Sequence, residues 1–188
     1  MHLIRSFLSL NIESSVQNRL KLIQDDVKSR LIHHGIKWEN HNKFHLTLRF
    51  LGDVEEFFLK DISRELDTIH TGFDTIKMTS AGIGFFPNQK FPNVVYIDLA
   101  EEGNNSEMLV NMLDAALDKY NFKADKKFIP HVTIGRFKRD RRSRMDKNFS
   151  IIVETVEIIF KSFYLMKSSL KPSGSVYEVI KEYKFNNT

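Results

Sequence analysis

Apolar residues crowd together at Leu3, Ile4, Phe7, Leu8 and Leu10, a run short enough to be a buried strand, and the polar stretch from Asn11 to Ser15 supplies turn and cap residues after it. The spacing then lengthens. Val16, Leu20, Ile23, Val27 and Leu31 share one face of a helix, which Gly35 stops. Residues His45 to Leu51 read as a second strand ending at Gly52-Asp53, and Val54, Phe57, Phe58, Ile62, Leu66 and Ile69 predict a second helix. Two further strands, Phe73 to Ile83 and Val94 to Leu99, flank the segment GFFPNQKFPN. Its prolines and asparagines break regular structure while its three phenylalanines invite a ligand. A third helix spans Ser106 to Tyr120, with Met108, Leu109, Met112, Leu113, Ala116, Leu117 and Tyr120 expected to face inward. Strands return at His131 to Phe137, at Ser150 to Met166 with a turn or boundary inside, and at Val176 to Tyr183, the last preceded by a KPSG turn. This mixture, without regular alternation of long units, predicts an α+β protein with largely antiparallel sheets.

At 188 residues with no evident linker, the chain is read as one domain spanning 1–188, able to bury a core as a unit or as two packed lobes. The absence of cysteine excludes disulfides, a thiolate nucleophile and cysteine-ligated metal sites. No GxGxxG or GxxxxGK loop is present. The opening segment, interrupted by Arg5, is too short and too charged for a signal peptide or spanning helix, so a cytoplasmic protein is expected. The net charge of +4 favours an anionic partner. It is concentrated in one segment, 138–147, where Lys138, Arg139, Arg141, Arg142, Arg144 and Lys147 face only Asp140 and Asp146. That segment reads equally well as a contact to a phosphate backbone and as a solvated surface loop.

Two segments carry candidate chemistry: Phe44-His45-Leu46-Thr47-Leu48 and Pro130-His131-Val132-Thr133-Ile134. In a strand, alternate side chains project to one face, so each histidine and its threonine point together while the aliphatic residues point into the core. Two such strands facing each other would bring two imidazoles and two hydroxyls to one small ligand. Opening a cyclic phosphodiester with water needs a base for the water proton and an acid for the departing oxygen, and histidine suits both roles near neutral pH. Thr47 and Thr133 can donate to the non-bridging phosphate oxygens. Arg136 offers a guanidinium fork for phosphate, but its odd offset from His131 requires a bulge or strand end at Gly135 to bring it to the same face. Arg49, four positions after His45, has the parity of a straight strand and is expected in the same cleft. A zinc site is the rival reading of the histidines. Threonine is a poor zinc ligand and neither segment has an HExxH pattern, so no metal and no cofactor is expected.

These motifs resemble those of the two-histidine (2H) phosphoesterase superfamily. His45-Leu-Thr-Leu-Arg-Phe-Leu-Gly52 is similar to the HxTLxFLG segment, and His131-Val-Thr-Ile-Gly-Arg136 to the HxTxxR segment, of the RNA 2',3'-cyclic phosphodiesterases once called 2'-5' RNA ligases. Residues 4–7, 84–87 and 169–174 with Tyr177 resemble that family's opening strand, central loop and closing hairpin. The resemblance implies a bilobal fold with pseudo-twofold symmetry, two antiparallel sheets flanked by helices, and an active site in the central groove. It implies metal-independent hydrolysis of a 2',3'-cyclic phosphate to a 2'-phosphomonoester. His45 would be the acid and His131 the base, with Thr47, Thr133 and Arg136 binding phosphate. Asn93 stands where the family often has an arginine. Phe7, Phe85 and Phe86 are the candidates to flank a base, since stacking tolerates any base. The expected partner is RNA with a cyclic phosphate end or a small cyclic nucleotide, without membrane, bound by a monomer. Alternatives are a relative acting on ADP-ribose 1'',2''-cyclic phosphate, on 2'-5'-linked oligonucleotides or on a U6-like RNA end, and a non-catalytic RNA-binding module.

Overall fold

A computed structural model describes residues 2–122, 127–138, 144–146, 149–172 and 174–186. Of the basic segment, Arg139, Arg141, Arg142 and Lys147 lie outside the described residues. The elements run β1 (Leu3–Asn11), α1 (Ser14–Arg30), β2 (Ile36–Trp38), β3 (His45–Glu55), α2 (Glu56–Glu65), β4 (Ile76–Phe86), β5 (Val94–Glu101), α3 (Asn105–Asp118), β6 (His131–Phe137), β7 (Glu157–Phe160), β8 (Ser162–Lys171) and β9 (Gly174–Lys184).

The α+β expectation holds, and every strand pairing is antiparallel. The strands form two groups, β7-β4-β5-β6 and β3-β1-β8-β9, joined into one path where β6 meets β3. That junction is a single residue pair, Leu46 with Val132, both fully buried. They are the central residues of the two HxT motifs. Beyond it β2 pairs with residues 135–137 of β6, so β3 and β6 part just past the motifs.

The two ladders that carry the motifs superpose position by position. In β1–β3 the pairs are Asn11 with His45, Leu10 with Leu46, Ser9 with Thr47, Leu8 with Arg49 and Phe7 with Phe50. In β5–β6 they are Asp98 with His131, Ile97 with Val132, Tyr96 with Thr133, Val95 with Gly135 and Val94 with Arg136. Each motif strand therefore has one extra residue three positions after its histidine, Leu48 in one and Ile134 in the other. A bulge of this kind leaves two residues opposite one and shifts the facing of all that follow. The burial patterns show it: iBiBBeB for residues 45–51 and again for 131–137.

Each bulge is backed by the helix of the other half. Gln24 of α1, itself buried, donates from Nε2 to the carbonyls of Ile134 and Glu39, both at 2.8 Å. Arg49, sent to the core side by the Leu48 bulge, forms an ion pair with Asp114 of α3 at 3.0 Å. Burial pushes the Asp114 carboxyl up, against the downward pull of Arg49. Gly135 sits where the backbones and side chains crowd: a Cβ there would lie 2.7 Å from Ile36 Cγ2 and 3.0 Å from Val95 Cγ1. Gly135→Ala is expected to cost about 1–3 kcal/mol by overpacking, read as a lower denaturation midpoint at unchanged slope.

Several expected boundaries move. β3 runs through Gly52-Asp53 to Glu55, so Val54 belongs to a strand, and Phe57 and Phe58 are exposed while Leu59 and Ile62 face the core. On α3 the inward residues are Leu109, Val110, Leu113 and Leu117, and Met108 and Met112 are exposed. Gly84-Phe85-Phe86 end β4 rather than a loop, and 151–156 precede β7 without regular structure. Among the described residues no helix is long and apolar enough to cross a membrane.

Candidate active site

Because Leu46 faces Val132, ordinary antiparallel geometry sets His45 across from Thr133 and Thr47 across from His131, all on the face opposite the buried pair. The four side chains are half-buried. The two imidazoles lie on the diagonal of this square, where residues of a regular ladder are roughly 7–8 Å apart and their Cβ atoms somewhat closer.

Both rings are held in the same way. The Nδ1 of His45 lies 2.7 Å from the carbonyl oxygen of Lys43, and the Nδ1 of His131 lies 2.7 Å from that of Ile129. A carbonyl only accepts, so Nδ1 carries the hydrogen in both rings and Nε2 is left for the groove. Neutral, that Nε2 takes a proton; charged, it gives one. Burial is the largest influence on both groups and lowers both below the ordinary histidine value of 6.5. The backbone hydrogen bonds oppose it. The charges around them then differ: Glu39 raises His45 more than either His131 or Arg136 lowers it, whereas Arg136 lowers His131 more than Asp98 raises it.

The bulge, at Ile134 rather than at Gly135, brings Arg136 to the motif face, with its Nε donating to Glu39 Oε1 at 3.2 Å. The same bulge on β3 corrects the expectation for Arg49. It turns away from the groove into the ion pair with Asp114, and Phe50 takes the place equivalent to Arg136. Phe50 is 69% exposed, with its ring 6.1 Å from that of Phe7. Phe7 in turn contacts His45 and Tyr177, each at 5.2 Å, and Tyr177 of β9 lies 5.3 Å from His45. Phe86 packs edge-on to His131 at 4.9 Å and stacks on Tyr96 at 4.3 Å. Phe85 is a correction: it is buried in the core against Phe137 and Phe149, away from the histidines.

Sequence reasoning thus missed Phe50, Glu39 and the groove position of Tyr177. Phe50 was within reach, since it stands five residues after His45 as Arg136 stands five after His131. Applying the bulge to both strands would have found it. Nothing in the local sequence marks Glu39, which reaches the groove through the pairing of the short strand β2.

The chemistry of this groove fits the proteins the chain is similar to. The family model described as LigT like Phosphoesterase matches residues 10–96 and again 97–177, one match for each half. The RNA 2',3'-cyclic phosphodiesterase of Methanocaldococcus jannaschii is 31% identical over 185 residues, covering 96% of this chain and 100% of that protein. That of Thermotoga maritima is 28% identical, covering 97% and 96%. Among solved structures, TT0787 of Thermus thermophilus superposes with a TM-score of 0.81 at 25% identity, covering 97% of this chain and 98% of that one. Escherichia coli LigT complexed with 3'-AMP gives 0.76 at 17% identity, covering 98% and 99%. With both halves matched by the family model and both carrying an HxT strand on a superposable ladder, the chain belongs to the LigT-like phosphoesterase family of 2H phosphoesterases.

Proposed function

We propose that this chain is an RNA 2',3'-cyclic phosphodiesterase that hydrolyses a 2',3'-cyclic phosphate, on an RNA end or a nucleoside, to a 2'-phosphomonoester without metal. The observation that carries the reading is the matched pair of imidazoles, each fixed through Nδ1 and presenting Nε2 to a shared groove. Nε2 of neutral His131 takes the proton from a water whose oxygen attacks phosphorus. The bond from phosphorus to the ribose 3' oxygen breaks, and protonated His45 gives its Nε2 hydrogen to that oxygen. The electron pair of the broken bond stays with the 3' oxygen, which leaves as a hydroxyl. Thr47 and Thr133 donate to the non-bridging oxygens as their charge grows, and Arg136 takes two of them in its fork. Phe50 and Tyr177 form the aromatic side of the groove and flank the base, where stacking contributes about 1–3 kcal/mol per base, whereas Phe7, only 3% exposed, is too buried to stack on a base and packs behind them against His45. Both halves of the site come from one chain, so a monomer suffices.

The test is hydrolysis of a nucleoside 2',3'-cyclic phosphate with and without EDTA, the products separated as 2'- and 3'-phosphates. Turnover to the 2'-phosphate that survives EDTA is expected. Loss of turnover in EDTA would overturn the metal-independent mechanism, and RNA binding without turnover would make the chain a binding module.

A further inference from the structure

A carboxylate, that of Glu39, stands beside the Arg136 guanidinium at this groove. Glu39 follows the last residue of β2, and its backbone is fixed from both sides: its N–H donates to the Ile134 carbonyl at 3.0 Å, and its own carbonyl accepts from the buried Gln24 at 2.8 Å. The residue is therefore tied to the bulge that aims Arg136. Its side chain accepts from Nε of Arg136 at 3.2 Å. Arg136 itself is 55% exposed and Glu39 32% exposed, so the pair is screened and contributes little to stability. A negative charge where a phosphate must bind is a cost unless it has a use.

Resting on the acid–base reading above, we propose that Glu39 is a positioning residue for the reaction: it takes Arg136 by Nε, turning the two terminal amino groups to the phosphate, and its charge keeps the transferable proton on His45.

The geometry separates the two tasks. A guanidinium bound at Nε by a carboxylate still offers a parallel pair of N–H groups on its outer edge, the arrangement that matches two phosphate oxygens. His45 faces His131 and Arg136 from β6, Tyr177 from β9 and Glu39 from the end of β2, while Lys43 turns its amine to the Ser175 carbonyl at 2.6 Å. Of these charges only Glu39 favours a protonated His45. His131 has Arg136 as its strongest charged neighbour, which favours the neutral ring. The two halves are alike in ladder and ring tautomer, and the Glu39–Arg136 pair acts on the two rings unequally. It gives the donor role to one imidazole and the acceptor role to the other.

Glu39→Gln keeps an acceptor for Arg136 Nε and removes the charge; Glu39→Ala removes both. Full pH profiles of kcat and kcat/KM for a nucleoside 2',3'-cyclic phosphate separate the cases, with a thermal melt to show that each variant is folded. In Glu39→Gln the alkaline limb is expected to move to lower pH, so that activity at pH 8 falls about three- to tenfold relative to the parent's at that pH, while the rate at the variant's own optimum falls less, with KM within about threefold of the parent. Glu39→Ala is expected to show the same limb shift and, in addition, a KM raised about tenfold. Glu39→Asp should restore the limb in part. An acidic limb that moves instead would make His45 the base, and limbs that stay put with a lower KM in both variants would make Glu39 a mere competitor for Arg136; either result overturns the proposal. A parent profile with no limbs at all would overturn the acid–base reading itself, which keeps the two failures distinct.

Discussion

Replacing either His45 or His131 with alanine is expected to lower kcat by about two to four orders of magnitude while KM for a nucleoside 2',3'-cyclic phosphate changes only a few-fold. The split follows from the groove. The threonines and Arg136, which hold the phosphate in the proposed mechanism, stay where the two bulged strands put them, and only the proton transfers are lost. The double variant should be little worse than the poorer single one, because with one imidazole gone the other has no partner transfer to complete. Saturating-substrate rates of the two single variants and the double variant check this. A His45→Ala enzyme that keeps more than a tenth of the parent kcat would remove that ring from the chemistry.

In the proposed mechanism the same two rings set the pH dependence. One must be neutral and the other charged, so the profile of kcat/KM is bell-shaped. Burial lowers both below the usual value of 6.5, which places the optimum on the acid side of that pH. Stability carries the opposite sign. In the unfolded chain the rings protonate near 6.5, and in the folded one only at lower pH. Their contribution is therefore intact above the unfolded value and falls away as pH drops below it, because protonation then favours the unfolded chain. Urea midpoints measured across pH 5 to 8 should rise with pH, and the rise should shrink when His45, which contacts Phe7 and Tyr177, is replaced by asparagine.

How far the sequence could lead is clearest along β3 and β6. A histidine and a threonine two apart, each beside a buried aliphatic residue, state the facing of the first three positions of a strand without ambiguity, because the side-chain period is two. The repetition of that pattern made the central junction readable, since Leu46 and Val132 are the residues that must be buried for both motifs to share a face. Beyond the third position the period fails. A bulge is a backbone event decided by what packs behind it, here Gln24 of α1 and the Asp114–Arg49 pair of α3. Gly135 hinted at it on β6, while Leu48 on β3 carries no such mark, and Arg49 was misplaced for that reason. Glu39 and Tyr177 reach the groove from β2 and β9, whose pairing partners no local pattern encodes. The helices erred in a milder way: Phe57, Phe58, Met108 and Met112 have helical spacing, but the inward arc is narrower than the apolar one.

Those matching ladders make Arg136 the position where the two halves differ most, guanidinium on one side and the Phe50 ring on the other, and the second large effect is expected there. Arg136→Met keeps the length and the aliphatic stem but withdraws the fork. With two charge-assisted hydrogen bonds to phosphate lost, each contributing about 1.5–3 kcal/mol, kcat/KM is expected to fall about a hundred- to ten-thousandfold. Part of the fall should appear in kcat, because the oxygens gain charge as phosphorus is attacked. Arg136→Lys should recover less than a tenth of what is lost: an ammonium supplies the charge, but it cannot bond Glu39 and two phosphate oxygens in one plane. The recovery measures how much of Arg136's effect is geometry. If lysine restored full activity, charge alone would suffice at this position, and the bulge that turns it toward the histidines would be needed only to bring a cation near. Equal losses in the lysine and methionine variants would instead mean that the planar fork, held at Nε by Glu39, is what the transition state requires.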